Sequence, residues 1–302
     1  MSIEELYQAH KGFLVSLAYR MLSSVMDAED VVHNVFLTLD ASALPSLQNP
    51  RAYLCRLVTN RCIDQLRSAR VRRESYVGPW LPEPWIESRH SADDSFAAED
   101  PLRSAVMKET LSIAFLLLLE RLSPVERSVY VLREAYALDY DEIADATGKT
   151  APNCRQIYRR AKLRIDSARN AAPHGDTRPG AAAAGEPAKS ALVERFLHAL
   201  GSGNVGLLSQ LLNKDISVVS DGGGKVRAAV KPLIGRDRAM AFLLGIVSKT
   251  PEGFRVLPDV INGQPGLVLF QGDAMTGTVA FRFEGEQIAD IYLVLNPEKL
   301  PA

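Results

Sequence analysis

Arg155, Arg159, Arg160 and Lys162, interleaved with Asn153, Gln156 and Tyr158, are residues that can do one kind of chemistry together. Arg and Lys neutralise phosphates, while Arg, Asn and Gln pair with base edges in a DNA major groove. All of them follow Thr150 in a single helical run. From Lys149 to Arg169 there are seven basic residues against one acid, Asp166. The whole chain has a net charge of −1, so this is a local patch and not an average. A solvated surface helix is the bland explanation for a lone basic run. The elements that precede this one favour DNA binding.

Those elements follow from capping chemistry. Asp139 lies three residues before Glu142, the reciprocal spacing of a capping box, so a helix starts near Tyr140 with Ile143, Ala144 and Thr147 as its apolar stripe. Gly148 can take the left-handed conformation that ends it. Thr150 then caps a second helix, with Pro152 tolerated in its first turn. Ile157, Ala161 and Ile165, or Cys154, Ile157 and Ala161, give that helix its core spacing. Helix, glycine turn and Arg-studded second helix make a helix-turn-helix layout. Ser123, Pro124 and Glu126 form another capping box that opens a helix at 124–136, and one more helix is expected at about 101–121.

A second basic helix stands earlier. Asn49 as N-cap and Pro50 at the first position start a helix at about 51–74 that holds seven Arg against Asp64 and Glu74. Leu54, Leu57, Val58, Cys62, Ile63 and Leu66 form its core stripe. The helix before it, about 27–40, has Asp27, Glu29, Asp30 and Asp40 and no Lys or Arg. Its apolar residues Val31, Val32, Val35, Phe36 and Leu39 exceed what one face needs, which leaves some for a partner. The first helix spans 3–23 with Leu6, Phe13, Leu14, Leu17, Ala18 and Met21 inward. Two separate basic helices touch nucleic acid at two places or along a path.

A chain of 302 residues points to two or three domains. The N-terminus has no apolar run, and the longest apolar stretch, Ile113 to Leu119, is too short to span a bilayer. A cytoplasmic protein with no membrane partner is expected. Cys55, Cys62 and Cys154 show no paired spacing and the five histidines are scattered, so no metal site is assigned.

The stretches DAEDVVHNVF, NPRAYLCRLVTNRCIDQLRS and LSPVERSVYVLREAYALDYDEIADATGKTAPNCRQIYRRAK together resemble an RNA polymerase sigma factor of the extracytoplasmic-function class, matching its regions 2 and 4 in order and spacing. The resemblance implies two all-α sigma units: a region 2 helical bundle over 1–75 and a region 4 helix-turn-helix over 101–170. It implies that Asp27, Glu29, Asp30, Val32, Asn34 and Val35 bind core RNA polymerase at the clamp of the β′ subunit, with the β flap as a second contact. Gln48, Arg51, Arg56, Asn60, Arg61 and Arg67 would hold an unstacked −10 strand of the promoter DNA. Thr150, Asn153, Arg155, Gln156, Tyr158, Arg159 and Arg160 would read the −35 element. His33 and Asn34 stand where such proteins usually have Gln and an acid, which implies weaker polymerase contacts there.

Residues 76–100 read as a linker. Pro79, Pro82 and Pro84 stiffen it, and Trp80 and Trp85 are the only tryptophans of the chain, so it should dock onto something. Residues 171–189, rich in Ala, Gly and Pro, read as a flexible interdomain linker. Beyond it, helices at 188–200, 204–212 and 236–249 accompany strands at 216–220, 226–231, 254–261, 266–271, 276–283 and 287–295, with Asn262-Gly263 and Glu284-Gly285 as turn signals. This pattern predicts an α+β NTF2/SnoaL-like cone with an antiparallel sheet over 190–302. A cone has a cavity, which leaves two uses open: a pocket for an unknown small ligand, or a protein-facing regulatory module. Packing or capping explains His198, Asp215, Asp237 and Asp259, so no catalytic residue and no cofactor is assigned.

The motifs WLPEP (Trp80, Leu81, Pro82, Glu83, Pro84), DGGGK (Asp221, Gly222, Gly223, Gly224, Lys225) and NPEKL (Asn296, Pro297, Lys299 and Leu300, with Glu298 in place of the usual Asp) resemble sigma factors bearing a SnoaL-like C-terminal extension. That resemblance implies that the extension folds back on the sigma units and adjusts their activity. DGGGK reads as a turn between strands that exposes Asp221 and Lys225 toward those units; a phosphate cradle would need a helix after it. The function expected is that of a sigma factor with no active site of its own. A ligand-sensing helix-turn-helix regulator working without polymerase is the alternative, and it leaves the acidic helix and the second basic helix without a role.

Overall fold

The computed structural model describes residues 2–40, 49–73, 76–89, 110–171 and 185–301. Among these, 2–73, 110–111 and 115–171 fall into one compact unit, and 76–89, 112–114 and 185–301 into another. The expected polar stretch after residue 90, the first part of the helix expected at 101–121, and most of the 171–189 linker lie outside the described residues.

The first unit is all helical: α1 (Ile3–Leu22), α2 (Val25–Leu37), α3 (Pro50–Arg73), α4 (Ile113–Leu119, within this unit from residue 115), α5 (Pro124–Glu134), α6 (Tyr140–Thr147) and α7 (Ala151–Ala171). Side-chain caps set the starts. Capping boxes close at Ser2/Glu5, Ser123/Glu126 and Asp139/Glu142, each worth about 1 kcal/mol. Asn49 caps α3 through Ala52 N, and Gly148 ends α6 at φ 63°. The helix starts and stops predicted for the helix-turn-helix are therefore met.

Burial in α1 exceeds one stripe. From Phe13 to Leu22 every residue is buried, including Ser16, Tyr19 and Arg20. The reason is a second neighbour: α1 packs on α2 and α3 and also on α5. Arg20 is fully buried and donates to Thr110 Oγ1 and the Tyr136 hydroxyl, 3.1 Å each, and to Ser16. Arg127 on α5 donates to Met21 O at 2.7 Å and pairs with Glu120 at 2.9 Å. The two helical groups expected as separate units thus share one core, with α3 packed on α5 and α6.

The second unit carries α8 (Glu186–Gly201), α9 (Val205–Leu211), β1 (Leu212–Asp221), β2 (Leu233–Ile234), α10 (Arg236–Val247), β3 (Phe254–Ile261), β4 (Gln264–Gln271), β5 (Ala274–Glu284) and β6 (Gln287–Val294). The sheet order is β2-β1-β6-β5-β4-β3. It is mixed and not purely antiparallel as expected, because β1 pairs with β6 in parallel. The crossover such a pair needs is supplied by α10 and β3 to β5. Asn262 and Gly263, both with positive φ, make the two-residue hairpin between β3 and β4. Leu192, Phe196, Leu208 and Leu243 from the helices meet Ile216, Val218, Phe281 and Ile291 from one sheet face in a single apolar core. This is the α+β layout expected.

One expected strand is absent. Residues 226–231 form a loop, and the short edge strand β2 comes after Pro232. Gly223 and Gly224 have positive φ and turn the chain back on itself, with Lys225 N and Val226 N bonded to Gly222 O. Ala229 N then bonds the Ser220 hydroxyl at 2.7 Å, so Val226 and Ala229 spend their donors locally and not on a ladder.

Candidate functional site

Helix α7 presents the candidate base-reading residues as the helical period requires. Cys154, Ile157, Ala161 and Ile165 are buried, and Thr150, Asn153, Arg155, Gln156, Arg159 and Arg160 are exposed. Arg155 lies over the Tyr140 ring, 5.2 Å from its centroid. Tyr158 departs from the expectation. It is half-buried, stacks on Tyr130 at 5.9 Å and gives its hydroxyl to Glu134. Burial and Glu134 push its phenol well above the usual range. Tyr158 anchors α7 to α5 instead of facing a groove.

On α3, Arg56, Arg61 and Arg67 are exposed and Asn60 is half-buried. Arg67 pairs with Asp64 at 3.1 Å, both exposed, so the pair is weak and easily exchanged for a phosphate. Arg51 is partly inside: its guanidinium sits 4.3 Å from the Phe13 centroid. Burial, and then the Arg51 charge, hold the His10 imidazole below its ordinary pKa. Gln48 lies outside the described residues. Burial pushes the Cys55 thiol up to about 11, so it is an unreactive core group.

On α2, Glu29, Asp30 and Asn34 are exposed and Asp27 is half-buried. Val32 and Val35, expected among the polymerase contacts, are 1% and 2% exposed. They serve the fold, in a helix that packs on α1 through the Tyr7–Phe36 edge contact. The apolar residues left over are Met26 and Leu37, at 63% and 69% exposure. Counting apolar residues finds the surplus but misplaces it.

The three motifs WLPEP, DGGGK and NPEKL meet inside the second unit. Asp221 is fully buried, not exposed as expected. Its carboxylate accepts from the Tyr76 hydroxyl (2.6 Å), Leu81 N (2.8 Å), Gly223 N (3.0 Å) and Lys299 Nζ (2.7 Å). Lys299 also donates to Leu81 O at 2.6 Å and lies 4.7 and 4.5 Å from the Tyr76 and Trp80 ring centroids. Asn296 donates to the Tyr76 hydroxyl at 2.9 Å. Burial and Asp221 push the Tyr76 phenol well above its ordinary value. A Cβ on Gly223 would stand 2.3 Å from the Asn296 side chain, and one on Gly224 would stand 3.2 Å from Val77. Gly223 is required by close approach as well as by its positive φ, and Gly224 chiefly by its positive φ. Lys225 remains exposed and pairs with Glu298 at 2.9 Å.

The segment 76–89 is a strap, and its residues 85–88 lie along the sheet edge. Trp85 N bonds Asn262 Oδ1 at 3.1 Å, Asn262 N bonds Trp85 O at 2.8 Å, and Ile86 bridges Ile261. Leu81, Trp85 and Ile86 are buried, at roughly 1.5–3 kcal/mol each, so apolar burial holds the strap while the Asp221–Lys299 pair fixes its register. Tyr76, Ile86 and Asn262 were not among the expected members of this site; the two tryptophans in one stretch were the signal that it docks. His198, Asp215 and Asp237 are exposed and apart from the clasp. Asp259 lies within β3, not at an element end, and accepts from the Ser88 hydroxyl of the strap at 2.5 Å.

Comparison with known proteins agrees with this geometry. Residues 6–72 match the Sigma-70 region 2 family and residues 112–165 match Sigma-70 region 4. The chain is 34% identical to the ECF RNA polymerase sigma factor SigJ of Mycobacterium tuberculosis over 253 residues, covering 84% of this chain and 75% of that protein. It is 30% identical to the probable sigma factor SigI of the same organism over 295 residues, covering 97% and 93%. The crystal structure of M. tuberculosis SigJ superposes with a TM-score of 0.72 at 26% identity, covering 97% of this chain and 96% of that one. No described helix is long and apolar enough to cross a membrane. The chain belongs to the extracytoplasmic-function RNA polymerase sigma factors, which recognise promoters for the polymerase and are not enzymes.

Proposed function

We propose that this sigma factor reads a −35 element with Thr150, Asn153, Arg155, Gln156, Arg159 and Arg160 of α7 and holds a −10 strand with Arg56, Asn60, Arg61 and Arg67 of α3. The acidic outer face of α2, with Asp27, Glu29, Asp30, Asn34 and the exposed Met26 and Leu37, docks on the clamp of the core polymerase β′ subunit. The β flap is the second docking point. The C-terminal unit modulates these contacts by holding the segment that joins regions 2 and 4. The observation that carries the reading is the division of α7 into a buried apolar stripe and an exposed face of Arg, Asn and Gln. A flipped base costs a few kcal/mol, which Asn60 and the neighbouring arginines offset.

The test is initiation by bacterial core polymerase with the full chain, on a template that includes the region upstream of its own gene. Arg159→Ala/Arg160→Ala should abolish specific initiation. Asn60→Ala should spare duplex binding and remove permanganate reactivity at −10. Specific initiation by the Arg pair variant, or unchanged reactivity with Asn60→Ala, would sink the assignment of that helix.

A further inference from the structure

The segment from Lys225 to Arg238, KVRAAVKPLIGRDR, runs from the glycine turn through β2 into the first turn of α10 and takes part in neither the helix-turn-helix nor α3. It holds five basic residues and one acid, Asp237, whereas the rest of 185–301 holds seven basic and eleven acidic residues. The basic charge of this unit is therefore concentrated in the stretch of chain around the edge strand β2. Arg227, Lys231 and Arg238 are exposed, and no described carboxylate pairs with them. Lys225 is held only by Glu298 in a surface pair, both side chains more than half exposed, which an incoming phosphate can replace at little cost. Arg236 differs: it is half-buried and donates to Ser209, so it belongs to the fold.

The position of the loop gives the charge a partner. Gly224 lies against Val77 of the strap, and the clasp fixes that approach through Asp221, Tyr76 and Asn296. Val77 is only four residues beyond Arg73, the end of α3. Four residues span at most about 14 Å, the rise of about four nucleotides of a duplex. The chain thus ties Gly224 to the end of α3 by a short tether.

We propose that Lys225, Arg227, Lys231 and Arg238 form a third phosphate-contacting surface for promoter duplex. The contact is to phosphates and carries no sequence preference. Its partner is the nucleic acid, because the exposed charge of this stretch is positive and phosphate is its complement.

The inference rests on the assignment of α3 and α7 to promoter DNA, so the experiment separates the two. Holoenzyme formed from core polymerase and the full chain is titrated with a duplex covering the region upstream of the gene, between 50 and 200 mM salt. Each lost phosphate contact reduces the slope of log affinity against log salt by about 0.9. Arg227→Ala/Lys231→Ala/Arg238→Ala should therefore lower the slope by about 2.7, and the wild type should lose roughly 40-fold more affinity than this variant across that range. Arg159→Ala/Arg160→Ala serves as the reference and should lower it by about 1.8. A reference effect without a loop effect overturns the third contact alone; no effect in either sinks the promoter-reading assignment with it. A loss caused by Val230→Ser, with the slope unchanged in the triple variant, makes the loop a protein-binding surface and overturns the proposal. Lys231→Cys carrying an iron chelate gives a second readout, because Cys55, Cys62 and Cys154 are buried. Discrete strand cuts beside −10 are expected, and an uncut duplex overturns the proposal.

Discussion

Asp221 and Lys299 are both charged and almost without solvent, and such a pair is stable only when every remaining donor and acceptor is satisfied. Here Asp221 has four donors, and the Lys299 ammonium has two oxygens and two aromatic faces. Removing one partner leaves the other buried and uncompensated. Asp221→Asn should cost about 3–5 kcal/mol in urea unfolding of the C-terminal unit, and adding Lys299→Met should recover part of that loss. Tyr76 gives the clasp a pH limit. The folded protein holds its neutral phenol, so its folded pKa lies above the unfolded value of about 10. That contribution is complete below pH 10 and falls as pH rises beyond it, since only the unfolded chain then releases the proton. Trp80 and Trp85 are the only tryptophans and both lie in the strap, so their fluorescence reads its docking. Strap emission in the wild type should change above pH 10, and Tyr76→Phe should remove that change. Equal alkaline transitions in both proteins would contradict the role of the phenol.

At the scale of elements, two glycines with similar backbone angles separate conformational from steric cost. Gly148 ends α6 at φ 63°, and a Cβ added there would meet nothing within 4 Å, whereas one on Gly223, at φ 59°, would stand 2.3 Å from Asn296. Gly148→Ala should therefore cost only the left-handed backbone, about 1–2 kcal/mol. Gly223→Ala should cost clearly more and should shift strap fluorescence, which Gly148→Ala should leave alone. The same contrast explains what was legible in the sequence. Caps and periodicity are local, so Asp139/Glu142, Ser123/Glu126, Gly148 and the buried stripe of α7 could be read directly. The clasp could not: Tyr76, Asp221 and Asn296 are far apart in the chain, and nothing local says that a turn of three glycines closes on a strap. The strand expected at 226–231 failed for a related reason. Its apolar alternation was real, but Ser220 and Gly222 take its hydrogen bonds, and Val226 and Val230 stay exposed. Val32 and Val35 were misread because periodicity counts surplus apolar residues without saying which side the neighbouring helices cover.

At the scale of the whole molecule, the first unit holds α3 and α7 in one body. A globule of about 150 residues has a radius of gyration near 15 Å, so it is roughly 40 Å across. The −10 and −35 elements are about 25 base pairs apart, roughly 85 Å at 3.4 Å per pair. If α3 and α7 are the −10 and −35 readers, both cannot engage their elements while α3 remains packed on α5 and α6, and promoter binding then requires this body to open. The seam to be broken contains Arg20, bonded to Ser16, Thr110 and Tyr136, and Arg127, bonded to Met21 O and Glu120. These bonds are strong in place but are made to groups that water can replace, which suits a contact that must open and close. Fluorescent labels at the exposed positions Ser68 on α3 and Leu163 on α7 should report a short distance in the free chain and one longer by tens of ångströms on core polymerase and promoter. Arg127→Leu removes the ion pair with Glu120 and the bond to Met21 O, and should populate the long distance without polymerase, with helical content retained by circular dichroism. A label distance that stays short in the initiating complex would mean that the two helices are not the −10 and −35 readers.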